Sequence, residues 1–174
     1  MTKPAPRTAR FARRTFMKAA PLALPAAASA LPARAADGSV QDFLGGWTTL
    51  HDSPFGPFRE LLVFSGGGGV TETNVLLHTN SNLTYFSQFG LPAIVNGSDG
   101  AGTWEPVGPH QIRVSFRKLL FDGNRVYFGD FWPRGIFSLT GDTLTATWDQ
   151  IWIVNTANQR ILDLGPSTST GTRI

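Results

Sequence analysis

Cysteine is absent from this chain of 174 residues, which excludes disulfides, thiolate metal ligands, thiol nucleophiles and a lipid anchor carried on cysteine. Methionine is nearly absent: Met1 and Met17 are the only two, and both precede residue 35. After that point no run of about 18 apolar residues occurs, so no membrane-spanning helix and no stable membrane anchor are expected. Nor is there an amphipathic helical period long enough to carry a crossover between parallel strands. Basic charge is also scarce in the body of the chain. Of 15 Lys and Arg residues, seven precede residue 36, while all 12 Asp and Glu residues follow it, so residues 36–174 carry eight basic against 12 acidic groups, a net charge of −4. No Lys/Arg stripe remains to neutralise phosphates, and nucleic acid is not expected as a partner.

The basic residues are concentrated in the first 35 positions, where Arg13-Arg14-Thr15-Phe16-Met17-Lys18 precedes an Ala- and Pro-rich apolar run ending in Ala33-Arg34-Ala35. This arrangement resembles a twin-arginine translocation (Tat) signal with a small-residue cleavage site. The resemblance implies a signal peptide over residues 1–35, a Tat translocase and a signal peptidase as partners during export, and a periplasmic or secreted location.

Residues 36–174 hold 11 Phe, five Trp and two Tyr among many Gly, Thr and Asn, a composition of strands and tight turns. A helical turn at 39–44 precedes a first strand at 47–50. Strands at 59–65 and 70–77 flank Gly66-Gly67-Gly68-Gly69, a hairpin whose glycines reach positive φ. Further strands are expected at 102–107, 110–121, 125–131, 135–140, 143–154 and 159–164. Short connections make the sheet an antiparallel meander, and closing a meander into a barrel removes its exposed edges. The expected fold is therefore all-β: a small up-and-down barrel of eight to nine strands over 36–165. One long lid loop is expected at 78–101, and a flexible tail at 166–174.

The helical turn, then Gly45-Gly46-Trp47 opening the first strand of a meander of this size, resembles the lipocalin and wider calycin pattern. Pro57-Phe58-Arg59-Glu60-Leu61, Gly68-Gly69-Val70-Thr71-Glu72-Thr73 and Gly102-Thr103-Trp104-Glu105 are similar to segments of uncharacterised bacterial lipocalin-like proteins. The resemblance implies that Trp47 closes the barrel floor under an arginine from a late strand, for which Arg160 is the candidate by position. It implies a fold and not an activity.

Chemistry-bearing motifs are few. His51, His78 and His110 each stand alone without a second ligand at metal spacing, so no metal and no cofactor are expected, and these histidines read as surface or loop residues. The glycine run lacks the Lys-Ser/Thr of a phosphate loop, and no G-x-S-x-G elbow exists.

Strand alternation says more, because one face of a barrel strand looks into the lumen. Ile112, Val114 and Phe116 oppose Arg113, Ser115 and Arg117. Leu144, Ala146, Trp148, Gln150, Trp152 and Val154 oppose Thr143, Thr145, Thr147 and Asp149. The apolar sets are expected inside. In 70–77 and 125–131 neither face is cleanly apolar. Glu72, Asn74 and Asp130 either enter the lumen, where a buried carboxylate has its pKa raised, or face water and pair with Arg113 or Arg117. Ligand-binding candidates are thus Glu72, Asn74, Phe116, Asp130, Trp148 and Trp152, with Glu72 and Asp130 as candidate catalytic carboxylates and Tyr85, Phe86 and Phe89 on the lid. The expected function is binding of a small apolar or amphipathic molecule in the lumen. The alternative is a cofactor-free cyclase or isomerase, resembling allene oxide cyclase-like barrels, that moves a proton with a buried carboxylate.

Overall fold

The computed structural model describes residues 38–174 except 54, 55, 79, 80 and 83; the signal segment expected over 1–35 lies outside the described residues. A helical turn, α1 (Gly38–Gln41), leads into β1 (Gly45–Asp52), followed by β2 (Phe58–Phe64) and β3 (Gly69–Asn74). Next come α2 (Val75–His78), β4 (Ser81–Asn82), α3 (Thr84–Ser87) and β5 (Ile94–Gly97). The chain continues through β6 (Gly100–Gly108), β7 (Gln111–Asp122), β8 (Tyr127–Thr140), β9 (Thr143–Asn155), β10 (Arg160–Asp163) and β11 (Ser167–Arg173).

Pairing runs β1 to β2, β3, β6, β7, β8, β9 and β11, every pair antiparallel, and β11 pairs back onto β1 from Trp47↔Arg173 to Asp52↔Thr168. Eight strands therefore close a calycin-type barrel, while β5 adds to β7, β4 to β5 and β10 to β9 outside the ring. Closure leaves none of the eight with an unpaired edge along its paired length, the condition a meander of short strands must meet to avoid edge association. The β2–β3 hairpin turns on the glycine run as expected. Gly68 sits at φ 80°, and the turn closes with Ser65 N–H on the Gly69 carbonyl at 2.9 Å.

Alternation sets the inner face: Trp47, Thr49 and His51 on β1; Glu60, Leu62 and Phe64 on β2; Val70, Glu72 and Asn74 on β3; Ile112, Val114, Phe116, Lys118 and Leu120 on β7. Aromatic rings fill the closed end. Phe64 meets Phe43 and Phe137 edge-on at 6.5 and 5.9 Å, and Trp148 meets Phe137 and Phe116 edge-on at 5.0 and 5.8 Å. Gly102 permits the close β6–β7 approach here, since a Cβ on it would stand 2.0 Å from the Ser115 carbonyl oxygen.

Several expectations are corrected. Residues 125–131 and 135–140, expected as two strands, belong to the single strand β8, and 159–164, expected in the barrel, holds β10, which adds to β9 outside the ring. Residues 166–174 are not a free tail: 167–173 are β11, the strand that closes the ring. The arginine over the floor is Arg173 and not Arg160. Its guanidinium lies 4.5 Å from the ring of the fully buried Trp47 and donates to the Leu44 carbonyl at 2.7 Å and to the Asp42 carbonyl. Trp47 in turn donates its indole N–H to the Phe43 carbonyl at 2.8 Å, which ties α1 beneath the barrel. Lastly, the third strand stops at Asn74, because the Asn74 side chain accepts the Leu77 N–H at 3.0 Å and turns the chain into α2. The described residues of the expected lid, 78–101, thus run from the end of α2 through the helical turn α3 and the short strands β4 and β5 to the start of β6.

Candidate functional site

The inner face brings together a set of polar side chains among aromatic and aliphatic ones. Lys118, with no exposure, places Nζ 2.8 Å from Glu72 Oε2, and Glu72 is itself 2% exposed. The other carboxylate oxygen accepts the Asn74 amide N–H at 2.6 Å. Neighbouring Glu60, opposite Asn74 in the β2–β3 register, accepts the Thr49 hydroxyl at 3.1 Å and lies 3.5 Å from His51 Nδ1.

His51 is held at both ring nitrogens. Trp148 Nε1–H donates to Ser169 Oγ at 2.8 Å, and the same oxygen lies 3.0 Å from His51 Nδ1. Nε2 faces Ser167 Oγ at 2.9 Å, and the Ser167 hydroxyl donates to the Asp52 carbonyl. The ring also stacks on Phe58 at 4.8 Å, so His51 is a fixed part of the wall.

Burial lifts the Glu72 carboxyl from its ordinary 4.5 to about 7; Lys118 opposes that rise and the Glu60 charge adds to it. The sign for stability follows. Below about pH 4.5 Glu72 is protonated folded and unfolded, and its contribution is fully present. From about 4.5 to about 7 the unfolded chain releases the proton while the folded chain retains it, so stability falls as pH rises and levels off above about 7. Denaturant midpoints measured across that window are expected to fall with pH in the wild type and to fall less steeply in Glu72→Gln. Equal slopes would mean that Glu72 titrates as it does in the unfolded chain.

Above this cluster, at the open end, lies a partly enclosed pocket of about 450 Å3, counting the part open to solvent. Its walls include Leu77, Phe86, Leu120 and Phe131, and His51 and Asn74 are polar groups on its lining. Phe86, from α3, is 1% exposed and is one of the lining residues, and the free cavity volume is about 20 Å3, room for about one water. Tyr85 is half-buried against the core and Phe89 is 45% exposed, their rings 5.1 Å apart. The closed barrel is of a kind capable of housing a small molecule.

Of the sequence candidates, Glu72, Asn74, Phe116 and Trp148 are gathered inside. Trp152 is not, a correction to the expectation that it faces the lumen, and Asp130 takes the second of its two expected placements, paired with Arg117 away from the lumen. Asp130 stands on the outer wall, bonded to Arg117 at 3.0 Å and to the Tyr127 hydroxyl at 2.9 Å, and that bond raises the Tyr127 pKa. Trp152 lies outside against Trp132 at 5.7 Å, donating to Asp163 at 3.1 Å under the Arg160 guanidinium. The cause is a β-bulge: Trp148 pairs with Gly135 but Gln150 pairs with Arg134, so Asp149 is an extra residue. Beyond it Ile151 and Ile153, not Trp152, face inward.

Sequence reasoning missed His51, Glu60, Thr49, Lys118 and Ser169. The signal for Lys118 was present, since it continues the Ile112, Val114, Phe116 set by one more step of two. Glu60 likewise shares the phase of Leu62 and Phe64. Among the described residues, no group of three or more His, Asp or Glu side chains is placed to hold a metal, and no helix is long and apolar enough to cross a membrane. No protein-family model matches this chain, and no curated protein is significantly similar to it in sequence.

Proposed function

We propose that this chain is an exported lipocalin-like protein that binds a small apolar or amphipathic molecule at the mouth of its barrel, with Phe86 as the lid. The observation that carries the reading is the mouth pocket itself: walls of Leu, Ile and Phe side chains with three polar residues, His51, Ser53 and Asn74, on the lining. Such a site combines apolar burial with few orienting contacts, as small-molecule pockets do. Export is supported by the twin-arginine segment ahead of the apolar run. It is checked by N-terminal sequencing of protein recovered outside the cytoplasm: a start at Ala36 supports it, and an intact residue 1–35 segment overturns it.

The raised pKa of Glu72 favours one other reading, a barrel isomerase. Both Glu72 oxygens, however, are already engaged, one by Asn74 and one by Lys118. A general base needs its acceptor within hydrogen-bond reach of substrate, so binding is the function that this geometry serves better.

Titration with an apolar fluorescent probe tests the proposal. Wild type is expected to bind it, and Phe86→Ala to speed both association and release about tenfold by opening the mouth. Absence of probe binding by both folded proteins would overturn the reading.

A further inference from the structure

We propose that the barrel holds its ligand covalently: an aldehyde on an apolar chain, bound as a protonated imine on Lys118 with Glu72 as its counter-ion. This inference rests on the proposed binding function and names the chemical class of the ligand.

After residue 35 the chain uses lysine once. Residues 36–174 hold seven arginines and a single lysine, Lys118. None of the seven arginines is buried, whereas Lys118 has no exposure and stands on the inner face of β7. Charge pairing alone does not call for this choice, because arginine makes the better buried ion pair and stays charged; a desolvated lysine can give up its proton and become a nucleophilic amine. Its surroundings favour that loss. Lys118 Nζ lies 2.8 Å from Glu72 Oε2, but the angles do not make a hydrogen bond, and Nζ has no other acceptor among the described residues. Passing one proton to the carboxylate leaves a neutral amine beside a neutral acid, and neither is then an isolated buried charge. Burial already raises the affinity of Glu72 for that proton.

The pair lies one layer beneath the mouth pocket. Asn74 and Leu120, both on the pocket lining, are the next inward-facing residues after Glu72 on β3 and after Lys118 on β7. Two residues of strand rise about 7 Å, a step that the flexible four-carbon stem of lysine matches in length. The polar residues of the lining are engaged with protein. Ser53 Oγ donates to the Gly56 carbonyl at 2.7 Å, Asn74 joins Glu72 to the Leu77 N–H, and each His51 ring nitrogen faces a serine hydroxyl. A bond to the amine therefore fixes a ligand head better than these groups do. The chemistry balances within the pair. Lys118 passes a proton to Glu72, its free amine attacks the aldehyde carbon, and a proton moves from that nitrogen to the former carbonyl oxygen, giving a carbinolamine. Glu72 then returns its proton to the new hydroxyl, which leaves as water while the C=N bond forms. The product is a protonated imine beside a Glu72 carboxylate, so the buried pair carries the same charges before and after.

The test is incubation of the full chain with hexanal, a slim unbranched aldehyde, trapping of imines with cyanoborohydride, and mass mapping of the modified peptides. Lys3 and Lys18, the other two lysines of the chain, are internal comparators. In the native protein Lys118 is expected to gain the hexyl group at least about tenfold faster than either, and in denaturant to fall level with them. A lysine that is only a buried counter-ion gives the opposite ranking, protected when native and modified last, and that result would overturn the inference. In folded Glu72→Gln, trapping at Lys118 is expected to slow at least about tenfold, since the group that carries the proton is gone. An unchanged rate would overturn the part given to Glu72. Thermal melts establish that the variant is folded; if it is not, the native ranking in wild type decides alone. An apolar fluorescent probe is titrated in parallel. Probe binding without preferential modification of Lys118 would overturn the inference and leave the binding function standing, whereas failure of both would overturn the binding function itself.

Discussion

Replacing Lys118 with Met is expected to destabilise the protein by about 3 to 5 kcal/mol at pH 8, the range for breaking a buried ion pair from one side. Met has nearly the length of Lys and is apolar, so the loss does not come from a cavity. It comes from Glu72, which keeps one hydrogen bond from Asn74 but loses the ammonium paired with it. Because Glu72 can instead take up a proton, the loss is expected to shrink toward pH 5, where the neutral acid needs no counter-ion. The double variant Lys118→Met with Glu72→Gln removes both charges and is expected to recover at least half of the loss. Denaturant melts of the four proteins at both pH values give the coupling energy. A Lys118→Met loss below about 1 kcal/mol, independent of pH, would show that the pair carries no weight in the fold.

The all-β meander and most of its strands were legible in the sequence because apolar and polar residues alternate over long stretches and the turns are marked by Gly, Asn and Asp, but the closing strand β11 was not, and two expected strands are the single β8. The glycine run 66–69 and the register through Phe116 were legible for the same reason. What misled was the assumption that an inner face must be apolar. Lys118 and Glu60 obey the alternation of their strands, yet each looks like a surface residue until its partner is seen, and that partner lies on another strand. His51 is similar: its two serines lie 116 and 118 residues away along the chain, so no local spacing announces them. Trp152 was misplaced for a different reason. A bulge at Asp149 reverses the phase of everything after it, and the register that reveals it depends on Gly135 of the neighbouring strand, over which Trp148 packs. The site is therefore less readable than the fold, since it is assembled from long-range pairs while the fold follows from local periodicity.

Deleting residues 166–174 is expected to abolish cooperative folding. Read as a polar tail of Ser, Thr and Gly, this segment looks dispensable. In the barrel it is the strand that joins the first part of the ring to the last, pairing with β1 from Trp47 to Asp52 and with β9 from Thr143 to Trp148. Its loss leaves two open edges whose N–H and C=O groups have no partners, and it exposes the inner faces that carry Trp47 and Trp148. It also removes Arg173 from the Trp47 ring, Ser169 from the Trp148 indole and both serines from His51, so buried donors are left without acceptors. Against a net stability of order 5 to 15 kcal/mol, losing a whole strand from a closed ring is more than the remaining seven can absorb. The shortened protein is expected to show no cooperative melt and to aggregate through its open edges. A synthetic peptide of residues 165–174 added during refolding is expected to restore a cooperative transition by strand addition, with a midpoint that rises with peptide concentration. A shortened protein that melts at the wild-type midpoint without peptide would show that the ring does not need β11.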